Sequence, residues 1–232
     1  MNTMSMSVSN KRVIVVGGGA AGMMAAGCAA EHGAEVTLFE PNNRLGKKLL
    51  ITGKGRCNVT NDCPWEDVLK NTPTNPRFLY SALSRFTPAD TKAFFEHQGC
   101  ALKTERGNRV FPVSDHAADI LAALERHLCG TGVRLEHARV TAVAAANGSV
   151  CGIRAADRFY PADAVILATG GCSYPLTGST GDGYRMAAAL GHTIVEPVGS
   201  LVPLVERGHD CAAMQGLALK NVTLRLKNGK NR

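Results

Sequence analysis

The feature that most constrains this 232-residue chain is a glycine-rich turn between a short apolar run and an alanine-rich stretch. The turn is residues 17–22, GGGAAG, and residues 13–16 precede it as a continuous apolar run, typical of a strand buried on both faces. A helix is predicted over residues 20–31, ending at His32-Gly33, where glycine can adopt a left-handed cap. Residues 35–40 then predict a second strand. The chain therefore begins with a βαβ unit.

Within the turn, the pattern Gly-x-Gly-x-x-Gly is typical of a dinucleotide-binding site when a strand precedes it and a helix follows. Gly17 permits the tight turn, Gly19 lets the backbone approach a pyrophosphate, and Gly22 lets the helix pack on the strand. The helix N-terminus, which begins with Ala20 and Ala21, then faces the phosphates. A glycine-rich turn without a ligand is the alternative interpretation.

Glu40 closes the second predicted strand, near the spacing expected of an acidic acceptor for a ribose 2′-hydroxyl. An acid at this position disfavours a 2′-phosphate. The pattern therefore indicates FAD or NAD rather than NADP.

A second segment, residues 52–61 (TGKGRCNVTN), lies in a long loop predicted from residue 44 to residue 61. Gly53 and Gly55 admit close approach of a ligand, and Arg56 can fork onto a phosphate or a carboxylate. Asn58 can pair with a flavin edge or a substrate carbonyl. The segment is not a P-loop, because the Gly-Lys-Ser/Thr element is missing. Arg56 and Asn58 are candidate catalytic residues, and an ordinary surface loop is the alternative.

A further buried strand is predicted over residues 164–168, and it runs into glycines. Ligands of open α/β sheets bind at the carboxyl ends of strands. We therefore expect Ala168, Thr169, Gly170 and Gly171 to face the dinucleotide. Residues 178–183 (GSTGDG) precede a helix predicted to end near Gly191 and fall in the same region.

Other elements complete an α/β pattern. Helices are predicted around residues 77–98 and 114–128, the second with Ser114 as its cap and with Gly130 and Gly132 at its end. Strands are predicted on either side of Asn147-Gly148, a strong hairpin signal.

The amino-acid composition narrows the class of protein. With 45% hydrophobic and 19% charged residues, the chain can fill a core and does not resemble a disordered protein. Its 26 Lys and Arg against 19 Asp and Glu give a net charge of +7, which suits anionic ligands. The basic residues are scattered, with few aromatics between them, so no nucleic-acid partner is predicted.

Eight cysteines contain no Cys-x-x-Cys pair and no zinc-type histidine spacing, so no metal site is predicted. Their pattern is typical of buried thiols in a reducing cytosol. The N-terminus imitates an export signal only weakly, because a strand and a glycine triplet interrupt it. A cytoplasmic protein without a membrane partner is expected.

Six segments together resemble bacterial NAD(P)/FAD-dependent flavoproteins of the BaiN type, also described as aminoacetone oxidases, and more distantly the fumarate reductase and succinate dehydrogenase flavoproteins. The segments are 17–22, 52–61, 109–114, 168–175, 178–183 and 201–204, and the similarity runs from about residue 12 to about residue 226. Residues 52–61 are the most distinctive of the six.

The resemblance implies non-covalent FAD, since residues 44–61 contain no histidine for a flavin linkage. It implies a pyrophosphate at the first glycine turn, a ribose at Glu40, an adenine contact near Val140, and further contacts at the strand end of residues 168–171. The loop contacts that it implies are Lys48, Gly53, Gly55, Arg56 and Cys57.

By the same resemblance, residues 11–196 form a Rossmann-like FAD-binding domain, a parallel sheet with helices and a β-meander. Residues 197–232 begin an inserted, mainly β second domain. Nothing matches the return segment that completes the FAD domain in this family. Residues 222–227 alternate between apolar and polar side chains and precede Asn228-Gly229. This pattern predicts a hairpin whose second strand would follow. We therefore expect an incomplete domain, or alternatively a short strand that pairs elsewhere.

The function expected from the resemblance is a flavin-dependent oxidoreductase that passes reducing equivalents from NAD(P)H to an organic acceptor or oxygen, with a small-molecule substrate. Two alternatives remain. One is a non-catalytic or degenerate dinucleotide-binding fragment, and the other is an NAD-dependent dehydrogenase.

Overall fold

The computed structural model describes residues 10–200, 205–217, 222, 223 and 225. The chain divides into two units, with the boundary between Val195 and Glu196. In the second unit, the described residues contain a short helix, Asp210–Ala213. The turn predicted at Asn228-Gly229 and the segment 201–204 lie outside the described residues, so the hairpin and the mainly β second domain stay predictions.

The described strands and helices follow one another along the chain. The strands are β1 (Arg12–Val16), β2 (Glu35–Phe39), β3 (Thr60–Asn61), β4 (Leu102–Glu105), β5 (Arg109–Pro112), β6 (Arg134–Glu136), β7 (Val140–Ala146), β8 (Ser149–Ala155), β9 (Arg158–Pro161) and β10 (Ala164–Leu167). The helices are α1 (Ala20–Glu31), α2 (Lys47–Ile51), α3 (Trp65–Lys70), α4 (Tyr80–Arg85), α5 (Pro88–His97), α6 (Ala117–Thr131), α7 (Asp182–Ala189) and α8 (Asp210–Ala213).

The centre of the first unit is a four-stranded parallel sheet in the order β10-β1-β2-β6. β1 is the inner strand of the βαβ unit and pairs with β2 on one side and with β10 on the other. Its apolar residues Ile14, Val15 and Val16 are all buried. A strand covered on both faces has no polar positions to alternate, which is why this run is continuously apolar.

One face of the sheet is covered by α1 and α6. Met23 of α1 and Leu124 of α6 are almost fully buried in one core cluster with Val15 and Leu38. The apolar residues of α6 recur every three or four positions, so they form a single stripe toward the sheet.

The other face is covered by the antiparallel sheet β7-β8-β9 and by α7. The rings of Phe39 and Tyr160 meet edge to face, with centroids 4.9 Å apart. The hairpin predicted at Asn147-Gly148 joins β7 to β8, and both turn residues have positive φ, 52° and 76°. The predicted α/β class, with a parallel sheet, helices and a β-meander, is confirmed.

A third sheet, β3-β5-β4, carries one end of the segment 52–61. The prediction of a loop from residue 44 to residue 61 was wrong in part, because the region contains α2, a 3₁₀ turn at Thr52–Gly55 and β3. The continuous helix predicted over 77–98 is broken, because Phe86 leaves the helical conformation and Thr87 starts α5 with a reciprocal cap to Asp90.

The start and end of α6 also differ from the prediction. His116 is its N-cap, and Ser114 instead accepts a hydrogen bond from the His116 backbone N–H at 3.2 Å. Gly130 lies inside the helix, which continues to Thr131 and ends at Gly132 with φ 72°. A left-handed glycine ends the helix here, as it commonly does.

Candidate cofactor-binding site

A cavity of about 620 Å³ opens at the carboxyl ends of β1, β2 and β10. Val16, Phe39 and Ala168, which end or directly follow these strands, all contribute to its wall. Its apolar lining comes from both core clusters, since Leu124 belongs to one and Phe39 to the other. Such a crevice at the strand ends is where open α/β sheets bind their ligands.

The glycine turn is fixed on both sides by the neighbouring strands. The Gly17 N–H donates to the carbonyl of Phe39 at 2.8 Å, and the Ala168 N–H donates to the carbonyl of Val16 at 2.8 Å. Gly17 has φ +110°, and a Cβ there would lie 2.5 Å from the carbonyl oxygen of Ala168. Only glycine fits a left-handed position with a strand this close.

Gly19 begins α1 in an extended conformation, φ −80° and ψ −177°, with no side-chain cap. Met23 is the first residue whose N–H bonds back into the helix, to the Gly19 carbonyl at 2.9 Å. The N–H groups of the first turn therefore have no intrahelical partner. Gly19, Ala20 and Ala21 all line the cavity. The N–H groups of the first turn and the positive end of the helix dipole therefore lie at the cavity wall.

Glu40 lines the cavity and is buried, with 8% of its surface exposed. Oε2 accepts from the Gly18 N–H at 2.8 Å, and Oε1 accepts from the backbone and side-chain N–H groups of Asn42 at 2.8 and 2.6 Å. An ionised carboxylate offers about four acceptor positions. Three of them are used, one by the glycine turn and two by Asn42, which leaves capacity for one further donor.

The segment 52–58 approaches the cavity in an unusual backbone conformation. Gly53, Lys54, Gly55 and Cys57 all have positive φ, between 56° and 83°. Cys57 and Asn58 line the cavity, and Cys57 is buried. Burial raises the pKa of the Cys57 thiol, and a hydrogen bond with the Thr52 side chain lowers it by less. The thiol therefore stays protonated at neutral pH.

Asn58 also joins the loop to the third sheet. The amide is assigned with its nitrogen facing the carbonyls of Val110 at 3.2 Å and Thr60 at 3.1 Å, because an oxygen in that position would face only acceptors. Both of its donors are therefore used within the protein. The carbonyl oxygen of this side chain is what it can offer a ligand.

Arg56, predicted as a catalytic and cofactor-binding residue, does not line the cavity. Its guanidinium contacts Glu105 and Asp115 and lies over the ring of Phe111, 4.0 Å from the centroid. Gly22, Gly53, Gly55 and Gly171 are likewise absent from the cavity wall. The predicted residues that do line it are Gly17, Gly19, Ala20, Ala21, Glu40, Lys48, Cys57, Asn58, Val140, Ala168, Thr169 and Gly170.

Several other residues of the wall were not among the predicted site residues. Lys48 donates to the buried Ser179 at 2.6 Å, and Asn42 donates to the carbonyl of Thr177 at 3.3 Å, so residues 177–179 close one side. The glycines of the segment 178–183 were a signal for this side. Further wall residues that were missed include Met24, Arg44, Lys47, Leu49, Phe95, Ile120, Leu124 and Arg139.

The described residues contain no cluster of three or more His, Cys, Asp and Glu side chains suited to a metal ion. No described helix is both long enough and apolar enough to cross a bilayer.

Comparison with known proteins gives the family. Residues 11–229 match the model described as HI0933-like protein Rossmann domain. The chain is 38% identical over 214 residues to 3-dehydro-bile acid delta(4,6)-reductase of Clostridium scindens, covering 89% of this chain and 50% of that protein. It is 30% identical over 230 residues to ribosomal RNA dihydrouridine synthase of Haemophilus influenzae, covering 94% of this chain and 55% of that protein. The chain spans about half the length of these relatives.

Solved structures agree on the fold. A 3-ketosteroid-delta4-(5alpha)-dehydrogenase from Rhodococcus jostii RHA1 superimposes with a TM-score of 0.55 at 18% identity, covering 82% of this chain and 56% of that chain. A flavocytochrome c3 fumarate reductase gives 0.54 at 22% identity, covering 78% and 40%. The resemblance found in the sequence motifs is thus confirmed, and the chain belongs to the HI0933-like Rossmann family.

Proposed function

We propose that this chain binds FAD without a covalent bond in the cavity at the strand ends, as part of a flavin-dependent oxidoreductase. The observation that carries the proposal is the convergence of unpaired N–H groups at the start of α1 with the buried carboxylate of Glu40 on one cavity wall. Donors suit a pyrophosphate, and an acidic acceptor suits a ribose.

The residues present fit this cofactor. A Cβ built on Gly19 meets no atom within 4 Å, so the backbone there is open to a phosphate. Val140 lines the cavity and packs in the same core cluster as Phe39, and its apolar side chain suits an adenine edge. The long apolar wall formed by Leu49, Ile120 and Leu124 suits a flat ring system better than a second nucleotide phosphate.

Bound FAD would supply the redox chemistry, taking up and delivering a hydride equivalent. The protein's residues bind and orient it. The start of α1 neutralises the phosphates, Glu40 holds the adenosine end, and the apolar wall excludes water from the ring. NAD(P)H is the proposed electron donor.

We further propose that the acceptor contains a carbon–carbon double bond conjugated to a carbonyl. The names of the two relatives described above share this chemistry, since a delta(4,6)-3-dehydro steroid and the uracil ring of uridine both carry such a bond. Reducing it places negative charge on the carbonyl oxygen, which a nearby donor can stabilise. We favour a small molecule in the cytoplasm over RNA or a membrane component, because the cavity wall is mainly apolar and the basic residues are scattered.

The test of this function has two stages. The purified chain is first titrated with FAD, and we expect saturable binding with a flavin absorbance that persists through gel filtration. Consumption of NADH and NADPH is then measured with a 3-oxo-4,6-diene steroid and, separately, with uridine-containing RNA. Turnover with RNA alone would overturn the small-molecule proposal, and binding of NAD but not FAD would favour a dehydrogenase. FAD binding without turnover of any acceptor would favour a non-catalytic domain.

Replacing Glu40 with alanine should weaken FAD binding by a factor on the order of ten to a hundred, because a charge-assisted hydrogen bond is worth about 1.5–3 kcal/mol. The loss of the Gly18 contact adds to this by loosening the turn. Titration calorimetry of the flavin-free chain measures it. Glu136→Ala, at the exposed end of β6, is the matched control and should bind normally. Equal affinity in the Glu40 and control variants would show that the ribose acceptor lies elsewhere.

A further inference from the structure

The segment 53–57 requires an external anchor. Four of its five residues have left-handed φ, and two of them, Lys54 and Cys57, carry side chains. A side-chain residue in this region costs roughly 1–2 kcal/mol, so the conformation persists only where surrounding contacts impose it. The backbone hydrogen bonds of the segment run from the Arg56 N–H to the Gly53 carbonyl at 3.3 Å and from the Cys57 N–H to the carbonyl of Thr52, directly before the segment, at 3.1 Å.

Arg56 provides contacts of the kind required. Its Nε donates to Asp115 Oδ1 at 2.7 Å and its Nη2 to Glu105 Oε1 at 2.5 Å. The buried ring of Phe111 lies beneath the guanidinium, at a distance suited to a cation–π contact. Lys103 donates to the other oxygen of Asp115 at 2.7 Å, so two cations and two anions form a neutral cluster. We name Arg56, Lys103, Glu105 and Asp115 the charge cluster.

Asp115, a member of the charge cluster, is also connected to the cavity. Asp115 has φ +61° and lies in the turn directly before α6. That helix contributes Ile120 and Leu124 to the cavity wall, and Arg56 directly precedes Cys57 and Asn58, which also line the cavity. The Arg56–Asp115 pair thus joins two cavity-lining segments that are 59 residues apart in sequence.

We propose that Arg56 is a positioning residue: acting through Asp115, Glu105 and Phe111, it holds the segment 53–57 so that Cys57 and Asn58 form the cavity wall. It does not contact the cofactor or substrate. The sequence predicted a direct catalytic contact for Arg56, whereas in the structure its Nε and Nη2 donate to two carboxylates and the residue does not line the cavity. The proposal depends on the proposed function only where FAD is used as a reporter.

The experiment separates the two roles by measuring the segment without any ligand. Amide hydrogen exchange of residues 52–58 is compared in the flavin-free unaltered chain, R56Q, D115N and the double variant. We expect exchange of the Cys57 amide to rise at least tenfold in R56Q and by less in D115N, in which Glu105 still holds Arg56. The double variant should be no faster than R56Q, because R56Q already removes the Arg56–Asp115 interaction through which D115N acts on the segment.

FAD affinity is measured on the same four proteins, and we expect the dissociation constant to rise about tenfold in R56Q. R56K should recover part of both effects, since lysine pairs with one carboxylate but cannot fork. R109Q is the matched control, because Arg109 also lies over the Phe111 ring, 5.6 Å from its centroid, and forms no ion pair among the described residues. If R56Q does not fold, D115N and E105Q give the same test.

The pH dependence of amide exchange gives an independent test of the charge cluster. The Arg56 hydrogen bond lowers the pKa of Glu105, and the Lys103 hydrogen bond lowers that of Asp115. A carboxylate with a depressed folded pKa stabilises above its unfolded pKa and loses that contribution as the pH falls through the folded value. We therefore expect segment protection to be constant at neutral pH and to fall below about pH 4 in the unaltered chain but not in R56Q.

Each combination of results supports or overturns the positioning role of Arg56. Faster exchange in R56Q and D115N, with non-additive effects and the acid response, supports positioning. Unchanged exchange in R56Q together with lost FAD affinity would overturn it in favour of direct contact with the ligand. If the unaltered chain binds no FAD, the proposed function fails, while the exchange data still test the role of Arg56.

Discussion

A Gly19→Val chain is expected to fold almost normally and to bind FAD at least a hundredfold more weakly, about 2.7 kcal/mol. Gly19 has a backbone conformation that valine adopts readily, and its Cβ would meet no protein atom within 4 Å. The added side chain would instead occupy the opening between the turn and the cavity, where a pyrophosphate must approach the first N–H groups of α1. Binding is lost while the fold is kept.

The measurement pairs flavin content after denaturation with the melting temperature of the flavin-free protein. Valine is a poorer helix N-cap than glycine, so a loss of a few degrees is expected. Gly130→Val, inside α6 and also without a neighbour within 4 Å, controls for the substitution itself and should keep its flavin. A Gly19→Val protein with full flavin content would show that the pyrophosphate binds elsewhere.

The sequence predicted the βαβ unit well because its signals are local. The helix bounds of residues 20–31 match α1, and β2 ends at Phe39, one residue before its predicted end. A buried apolar run, a glycine turn and a left-handed glycine after the helix each act within a few residues. The hairpin at Asn147-Gly148 was predictable for the same reason.

The sequence could not predict α2, since five residues are too few to show a helical period. Its position depends on distant contacts, such as the hydrogen bond from the Gly46 N–H to the Gly18 carbonyl at 2.9 Å. The role of Arg56 was hidden in the same way, because its carboxylate partners lie 49 and 59 residues further along the chain. A side-chain type indicates what a residue can bind but not which partner reaches it.

The apolar wall of the cavity was missed for a different reason. Phe95, Ile120 and Leu124 have the spacing and burial of ordinary core residues, and most of their surface does pack in the core. A cavity wall at the edge of a core has the same periodicity as the core itself. The glycine turn and Glu40, in contrast, interrupt the periodic pattern of the strands and helices. These residues could therefore be predicted from the sequence.

Gly22→Ala is expected to destabilise the chain by more than about 3 kcal/mol, or to prevent folding. A Cβ on Gly22 would overlap the carbonyl oxygen of Gly17 and approach the Cβ of Ala168 at 3.4 Å. The Gly17 carbonyl belongs to backbone that hydrogen bonds hold to β2, so no flexible side chain can move aside. The helix would have to shift away from β1, opening the most buried part of the core.

The sign of the change in unfolding free energy distinguishes the packing explanation from helix propensity. Helix propensity alone favours alanine over glycine by about 1 kcal/mol, so a view based on local structure predicts that Gly22→Ala stabilises. Gly130→Ala, in α6 with no neighbour within 4 Å, should show that local gain of about 0.5–1 kcal/mol. Urea unfolding of the two flavin-free variants measures both effects against the unaltered chain. If Gly22→Ala were as stable as Gly130→Ala, close packing of α1 against the glycine turn would not be what requires glycine at this position.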